Sequence, residues 1–165
     1  MVPVNVYNRP GDLMRLVGWA TTVAAIDQLS KLAAASYLHL LVPLPLLDET
    51  VRLTLAHNSG GAFSLLRSQG ELMTYLVGVL SVGLLATLLL GGKRLRPLVQ
   101  VGLVLISGGA WGNLIDRLHW GYVIDFIDIG TSSWRWATFN LADSAIVLGT
   151  ALIVLSLIAR EVRTA

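Results

Sequence analysis

Two uninterrupted apolar runs limit what this chain can become. Leu72 to Gly92 is 21 residues without a charge, and Pro97 to Ile115 is another 19. Each is close to the roughly 20 residues a helix needs to cross the hydrocarbon core of a bilayer. Leu16 to Leu32 and Asn140 to Ala159 are less clean, broken by Asp27 and Lys31 and by Asp143. They still read as spans, because a polar residue near a helix end can reach the interface or face the bundle interior. Composition agrees: 55% of the 165 residues are hydrophobic and 13% charged, too little charge to cover the surface of a water-soluble domain.

Arg9 and Arg15 give the first span a basic flank, as in a secretory leader. The apolar stretch runs too long, however, and lacks a small-x-small cleavage pattern before Asp27, so it reads as a retained helix. There is no cysteine, hence neither disulfide nor thiol nucleophile. The formal charge of +2 is too small to suggest nucleic acid as a partner. Its distribution is more informative. Arg9, Arg15, Lys93, Arg94, Arg96, Arg160 and Arg163 lie before span one, between spans two and three, and after span four, accompanied only by Asp12 and Glu161. Acids outnumber bases everywhere else, which is the positive-inside pattern with both termini cytoplasmic.

The expected fold is a polytopic all-α membrane protein with four transmembrane helices and a small β-containing extracytoplasmic cradle. It forms one membrane-embedded domain over residues 1–165, with spans near 14–34, 71–91, 97–115 and 140–159. Segments near 36–70 and 116–139 then face outward. In the first, Pro43 and Pro45 favour an extended stretch over a helix. Val51 to Ala56 alternates with the strand period and ends at the turn signal Asn58-Ser59-Gly60-Gly61. In the second, Gly121 to Ile129 is strand-like, and aromatics follow that suit headgroup depth.

Polar residues within apolar surroundings mark the candidate site. Asp27 and Lys31 stand i,i+4 and can pair on one helix face, either to anchor the helix end or to brace a site nearby. Asn113, Asp116 and Arg117 fall on one face after the small-residue run Gly108-Gly109-Ala110, a pattern better suited to a structural clamp than to acid–base work. Asp125 is flanked by apolar side chains. Asp143 sits in the first turn after an Asn140 cap, where it could simply complement the helix dipole. Placed at the same outer depth, Asp125 and Asp143 make a pair able to share one proton, activate water and protonate a leaving amine. His39, His57 and His119 are dispersed without metal-ligand spacing, and no Gly-Gly pair is followed by a phosphate-binding Lys-Ser or Lys-Thr.

The motifs Asp27-Gln28-x-x-Lys31, Asn58-Ser59-Gly60-Gly61-Ala62-Phe63-Ser64, Gly109-x-x-Gly112-Asn113-x-x-Asp116-Arg117, Gly121-Tyr122-Val123-x-Asp125-Phe126 and Phe139-Asn140-x-Ala142-Asp143-Ser144 occur in that order. In this the chain resembles lipoprotein signal peptidase (signal peptidase II), the bacterial intramembrane aspartic endopeptidase family. The resemblance implies cleavage of diacylglyceryl-modified prolipoproteins on the amino side of the lipidated cysteine, at the outer face of the bacterial inner membrane. It implies Asp125 and Asp143 as the catalytic pair, with Asn58, Gly60, Asn113, Asp116, Arg117, Asn140, Asp27 and Lys31 binding substrate or supporting the site. It implies no metal, nucleotide or organic cofactor; membrane lipids are the other expected partners, and a monomer is expected. A small proton-coupled transporter and a membrane scaffold are the alternatives, since intramembrane carboxylates also mark ion paths and glue helices.

Overall fold

The computed structural model describes residues 10–59, 70–91 and 95–164. Among them stand four long helices, α1 (Pro10–Tyr37), α2 (Gly70–Gly91), α3 (Pro97–Trp120) and α4 (Leu141–Thr164), and three strands, β1 (Leu44–Leu47), β2 (Val51–Asn58) and β3 (Val123–Ile129). At about 1.5 Å per residue even the shortest helix exceeds the roughly 30 Å of a bilayer core. Within α2, α3 and α4 are stretches of mean hydropathy 2.0, 1.6 and 2.2, apolar enough to cross a membrane unaided. α1 is not among them. It is 28 residues long but carries Asp27, Gln28 and Lys31, which it turns toward α3.

α3 is the centre of the bundle: 56% of its apolar stretch is buried, against 11% for α2 and 22% for α4. Its glycines bring the backbones together. A Cβ at Gly108 would lie 2.6 Å from Ala20 O on α1, and one at Gly109 would collide with Ala142 O on α4. Leucines and valines on the outer faces, such as Leu80, Leu90 and Val147, are left 64%, 85% and 70% exposed. A lipid solvent is the natural cover for so much apolar surface.

Apolarity alone places the end of span three at Ile115, but α3 continues to Trp120. Asp116 and Arg117 lie inside the helix and are buried, at 1% and 9% exposure. Their charges end the hydrophobic run without ending the helix, because α1 supplies Gln28 and Lys31 as partners for Asp116, and Arg117 donates to Asn113 O one turn back in α3. The helix stops instead at Gly121, whose φ of 78° places it in the left-handed region and whose N–H donates to Arg117 O at 3.0 Å. The segment beyond the bundle therefore begins at Gly121 and not at Asp116.

Connections place the strands at the bundle end formed by the C-termini of α1 and α3 and the N-terminus of α4. They form one antiparallel sheet in the order β1-β2-β3. β1, at the edge, contains Pro45 and exposes all four of its residues. The distant β2 and β3 pair through Ala56↔Asp125 and Asn58↔Val123. Leu55, Ile124 and Phe126 pack with Ala34 to seat the sheet on α1. After β3 the chain folds back so that Phe139 exchanges backbone hydrogen bonds with Ile127, at 3.0 and 2.8 Å, delivering Asn140 and α4 beside β3.

Candidate active site

The register of β2 against β3 sets Asn58 and Asp125 together across the sheet, and the Phe139 return brings Asn140 to the same spot. Asp125 Oδ2 accepts Asn58 Nδ2 at 2.9 Å, and its Oδ1 accepts Asn140 Nδ2 at 2.7 Å. The side chain of Asn140 is fully buried, with Asp125 2% exposed. Asn140 also caps α4. Asp143 N donates to Asn140 Oδ1 at 2.9 Å, and Asn140 N donates to Asp143 Oδ2 at 3.3 Å, a reciprocal box at the helix start. Asp143 keeps its other oxygen for the site: Oδ1 accepts Asn113 Nδ2 at 2.8 Å. Asp143 thus caps the helix start with one oxygen and turns the other to Asn113.

Asn113 is the joint between the upper network and a second one beneath it. Its Oδ1 accepts Lys31 Nζ at 2.9 Å and Asn140 Nδ2 at 3.2 Å. Lys31, 1% exposed, stands 2.7 Å from Asp27 Oδ2 and 2.9 Å from Asp116 Oδ2. A buried ammonium with a hydrogen bond and two carboxylates around it is compensated; without them it would be very costly. Asp27 Oδ1 accepts the backbone N–H of Ala142 at 2.8 Å, so α1 holds the first turn of α4 directly. Asp116 accepts Gln28 Nε2 at 2.7 Å and Ile124 N at 3.0 Å, which fixes the start of β3 against α1 and α3. The Asp27–Lys31 pair therefore ties α1 both to α3 and to the first turn of α4. Asn113 stays joined to Asp116 through Lys31 and also reaches Asp143.

Arg117 donates to Asn113 O at 3.3 Å, and its charge acts on Asp143, Asp125 and Asp116. Asn58, Asn113, Arg117 and Asp143 line one cavity of about 290 Å³, walled on its apolar side by Trp136 and Phe139. Burial is the main influence on the Asp125 carboxyl, countered by the Asn58 hydrogen bond and reinforced by the Asp143 charge; its pKa is pushed up from 3.8 to about 7. Gly60, the remaining residue expected to support the site, lies outside the described residues, as does the segment that follows it. Gln28 and Asp128 carry polar contacts of the same quality that sequence reading did not single out. Gln28 sits beside Asp27 in a quoted motif, which was signal enough to find it. Among the described residues no group of three or more His, Asp or Glu is placed to hold a metal ion.

Fold and site together define a polytopic membrane protein with a carboxylate–asparagine network buried at one end of its helix bundle. The chain belongs to the signal peptidase (SPase) II family, whose sequence profile matches residues 19–159. It is 39% identical to the lipoprotein signal peptidase of Paraburkholderia phymatum over 151 residues, 87% of each chain. Identity to that of Burkholderia mallei is 38% over the same length and shares, and to that of Coxiella burnetii 38% over 143 residues, 85% of this chain and 87% of the relative. Two solved structures described as bacterial membrane enzymes share the fold. One has a TM-score of 0.81 at 24% identity over 92% of both chains; the other has 0.74 at 26% identity over 87% of this chain and 92% of its own.

Proposed function

We propose that this protein removes signal peptides from diacylglyceryl-modified prolipoproteins, cutting on the amino side of the lipidated cysteine, with Asp125 and Asp143 as an aspartic catalytic pair. The observation that carries the reading is the raised pKa of buried Asp125, tied through asparagines to a second carboxylate at the mouth of a cavity. The pair is unequal. Asp125 holds the proton near neutrality, and Asp143 is the base. Asp143 takes a proton from water as the water oxygen attacks the scissile carbonyl carbon, while Asp125 donates a hydrogen bond to the carbonyl oxygen. When the tetrahedral adduct collapses, the proton on Asp143 passes to the departing nitrogen. The C–N bond breaks, and Asp125 regains its resting hydrogen bonds.

Asn58, Asn140 and Asn113 hold the two carboxyls in place, and Lys31, Asp27, Asp116 and Arg117 hold the asparagines and strands. The chain acts as a single domain and a monomer in the bacterial inner membrane. Both termini are cytoplasmic by the placement of the basic residues, which puts the site at the outer leaflet. Family membership supports a peptidase over a transporter or scaffold.

Cleavage of a diacylglyceryl-modified prolipoprotein in detergent tests the pair. Asp125→Asn and Asp143→Asn should each keep native helicity and lose turnover by at least about a thousandfold. The intact enzyme should slow about tenfold per pH unit above about pH 7, as Asp125 loses its proton. Substantial turnover by either folded variant would move the assignment to Asp116.

A further inference from the structure

Three positions beyond Asp125, β3 carries another buried carboxylate that the proposed chemistry leaves unused. Asp128 is 5% exposed, and both its oxygens are engaged. Oδ1 accepts Arg135 Nε at 2.5 Å; Oδ2 accepts Thr54 Oγ1 at 2.9 Å and Arg52 Nε at 3.2 Å. Its backbone carbonyl takes Arg135 Nη2 at 3.1 Å. Burial works to raise this carboxyl, but the hydrogen bonds from Arg135, Thr54 and Arg52 outweigh it and hold the pKa below the ordinary 3.8. Arg135 extends the clamp by donating Nη1 to Glu49 O at 2.8 Å, in the turn between β1 and β2. One guanidinium thus ties the 130–135 turn to β3 and to the β1–β2 hairpin.

The clamp residue stands between two tryptophans. Trp134 and Trp136 flank Arg135, their rings 6.0 Å apart at 66°, 61% and 51% exposed. Trp136 walls the cavity at Asp143, and both rings wall an adjoining groove of about 680 Å³ that also touches Asp143. The groove is completed by apolar side chains, among them Phe139, Val147 and Leu148, and the last two are 70% and 55% exposed on the outer face of α4. It therefore runs from Asp143 to the lipid-facing side of the bundle. If the peptidase reading holds, as the following step requires, a substrate lipidated next to its scissile bond brings an aliphatic chain to this place.

We propose that Arg135, locked onto Asp128 and Glu49, is a positioning residue for the Trp134–Trp136 wall, and that this wall grips an acyl chain of the substrate. The clamp acts on substrate binding and leaves the bond-breaking step to the carboxylates.

Steady-state cleavage of diacylglyceryl prolipopeptides with palmitoyl or octanoyl chains tests it. Arg135→Leu and Trp134→Ala should each raise KM for the palmitoyl substrate about tenfold while kcat stays within about twofold. KM for the octanoyl substrate should change little. Arg135→Lys keeps the charge but not the planar fork, and should recover part of the palmitoyl preference. Trp134 is exposed, so its replacement decides the matter even if Arg135→Leu does not fold. A fall in kcat at constant KM, or an equal rise in KM for both chain lengths, would overturn the proposal. Occupancy is read separately from cleavage by saturable quenching of tryptophan fluorescence with a brominated palmitoyl substrate. Quenching that disappears on replacing Trp134 and Trp136 with phenylalanine supports the wall even where no bond is cut, in which case the peptidase reading fails instead. Cleavage without such quenching removes the wall and leaves the peptidase standing.

Discussion

Asp125→Asn takes one ionisable proton out of the site while keeping its shape. Asn140 must stay as it is, because its Oδ1 is committed to Asp143 N, so the new amide oxygen accepts Asn140 Nδ2 and the new NH₂ faces Asn58. Asn58, partly exposed, meets that NH₂ by turning its own amide. A carboxyl moved from 3.8 to about 7 costs the folded protein about 4 kcal/mol when it is forced to ionise, at about 1.36 kcal/mol per pKa unit. The folded state binds this proton more tightly than the unfolded chain does. The cost is therefore absent below about pH 4, accumulates as pH rises, and is complete above about pH 7. Between about pH 5 and pH 8 the native protein should lose about 3 kcal/mol relative to the asparagine variant, or about 6 to 12 °C in Tm for a chain of this size. Thermal unfolding in one detergent, followed by far-UV circular dichroism across that range, measures it. The variant, inactive, should be the more stable protein at about pH 8. Melting temperatures that run parallel with pH in the two proteins would show that Asp125 does not carry the raised pKa, and the assignment of the resting proton would fall with it.

Lys31→Met leaves Asp27 and Asp116 facing each other in the interior without their shared cation, and should destabilise by about 3–5 kcal/mol in the same melting assay. Adding Asp116→Asn should recover part of that loss. Gly112→Ala would set a Cβ 2.5 Å from Asp27 Oδ2 and should cost about 1–3 kcal/mol, whereas Gly78→Ala, whose Cβ would have Leu114 Cδ1 as its nearest neighbour at 3.8 Å, should be neutral or slightly stabilising.

Hydrophobicity is nearly a one-dimensional property of a membrane chain, and what it governs could be read directly. The apolar runs locate α2, α3 and α4, and the alternation from Val51 locates β2. The prolines that spoil a helix before Asp48 leave an extended edge strand. Asp125 stood out for the same reason, as a carboxylate among apolar neighbours, and Asp143 drew attention only through the depth it was expected to share with Asp125. Reading failed where the answer lay on another element. The end of α3 was misplaced because Asp116 is burdensome only until Gln28 and Lys31 of α1 are seen to meet it. Asp128 drew no notice because its partners, Arg52 and Arg135, lie on a different strand and beyond a turn. Asn113 was grouped with Asp116 and Arg117 by helical spacing, and no periodicity could reveal that it reaches across to α4.

The polar inner face of α1 has a consequence for biogenesis. This helix emerges from the ribosome before α3, and the partners that justify its charges, Asn113 and Asp116, are synthesised about eighty residues later. At about 5–20 residues per second, the first helix waits several seconds before the third is available. During that interval the i,i+4 pairing of Lys31 with Asp27 lets it enter the bilayer as a self-neutralised unit. Arrival of α3 then converts a local pair into an interhelical lock. Closure of the buried lock and insertion of the third helix are, on this account, one event.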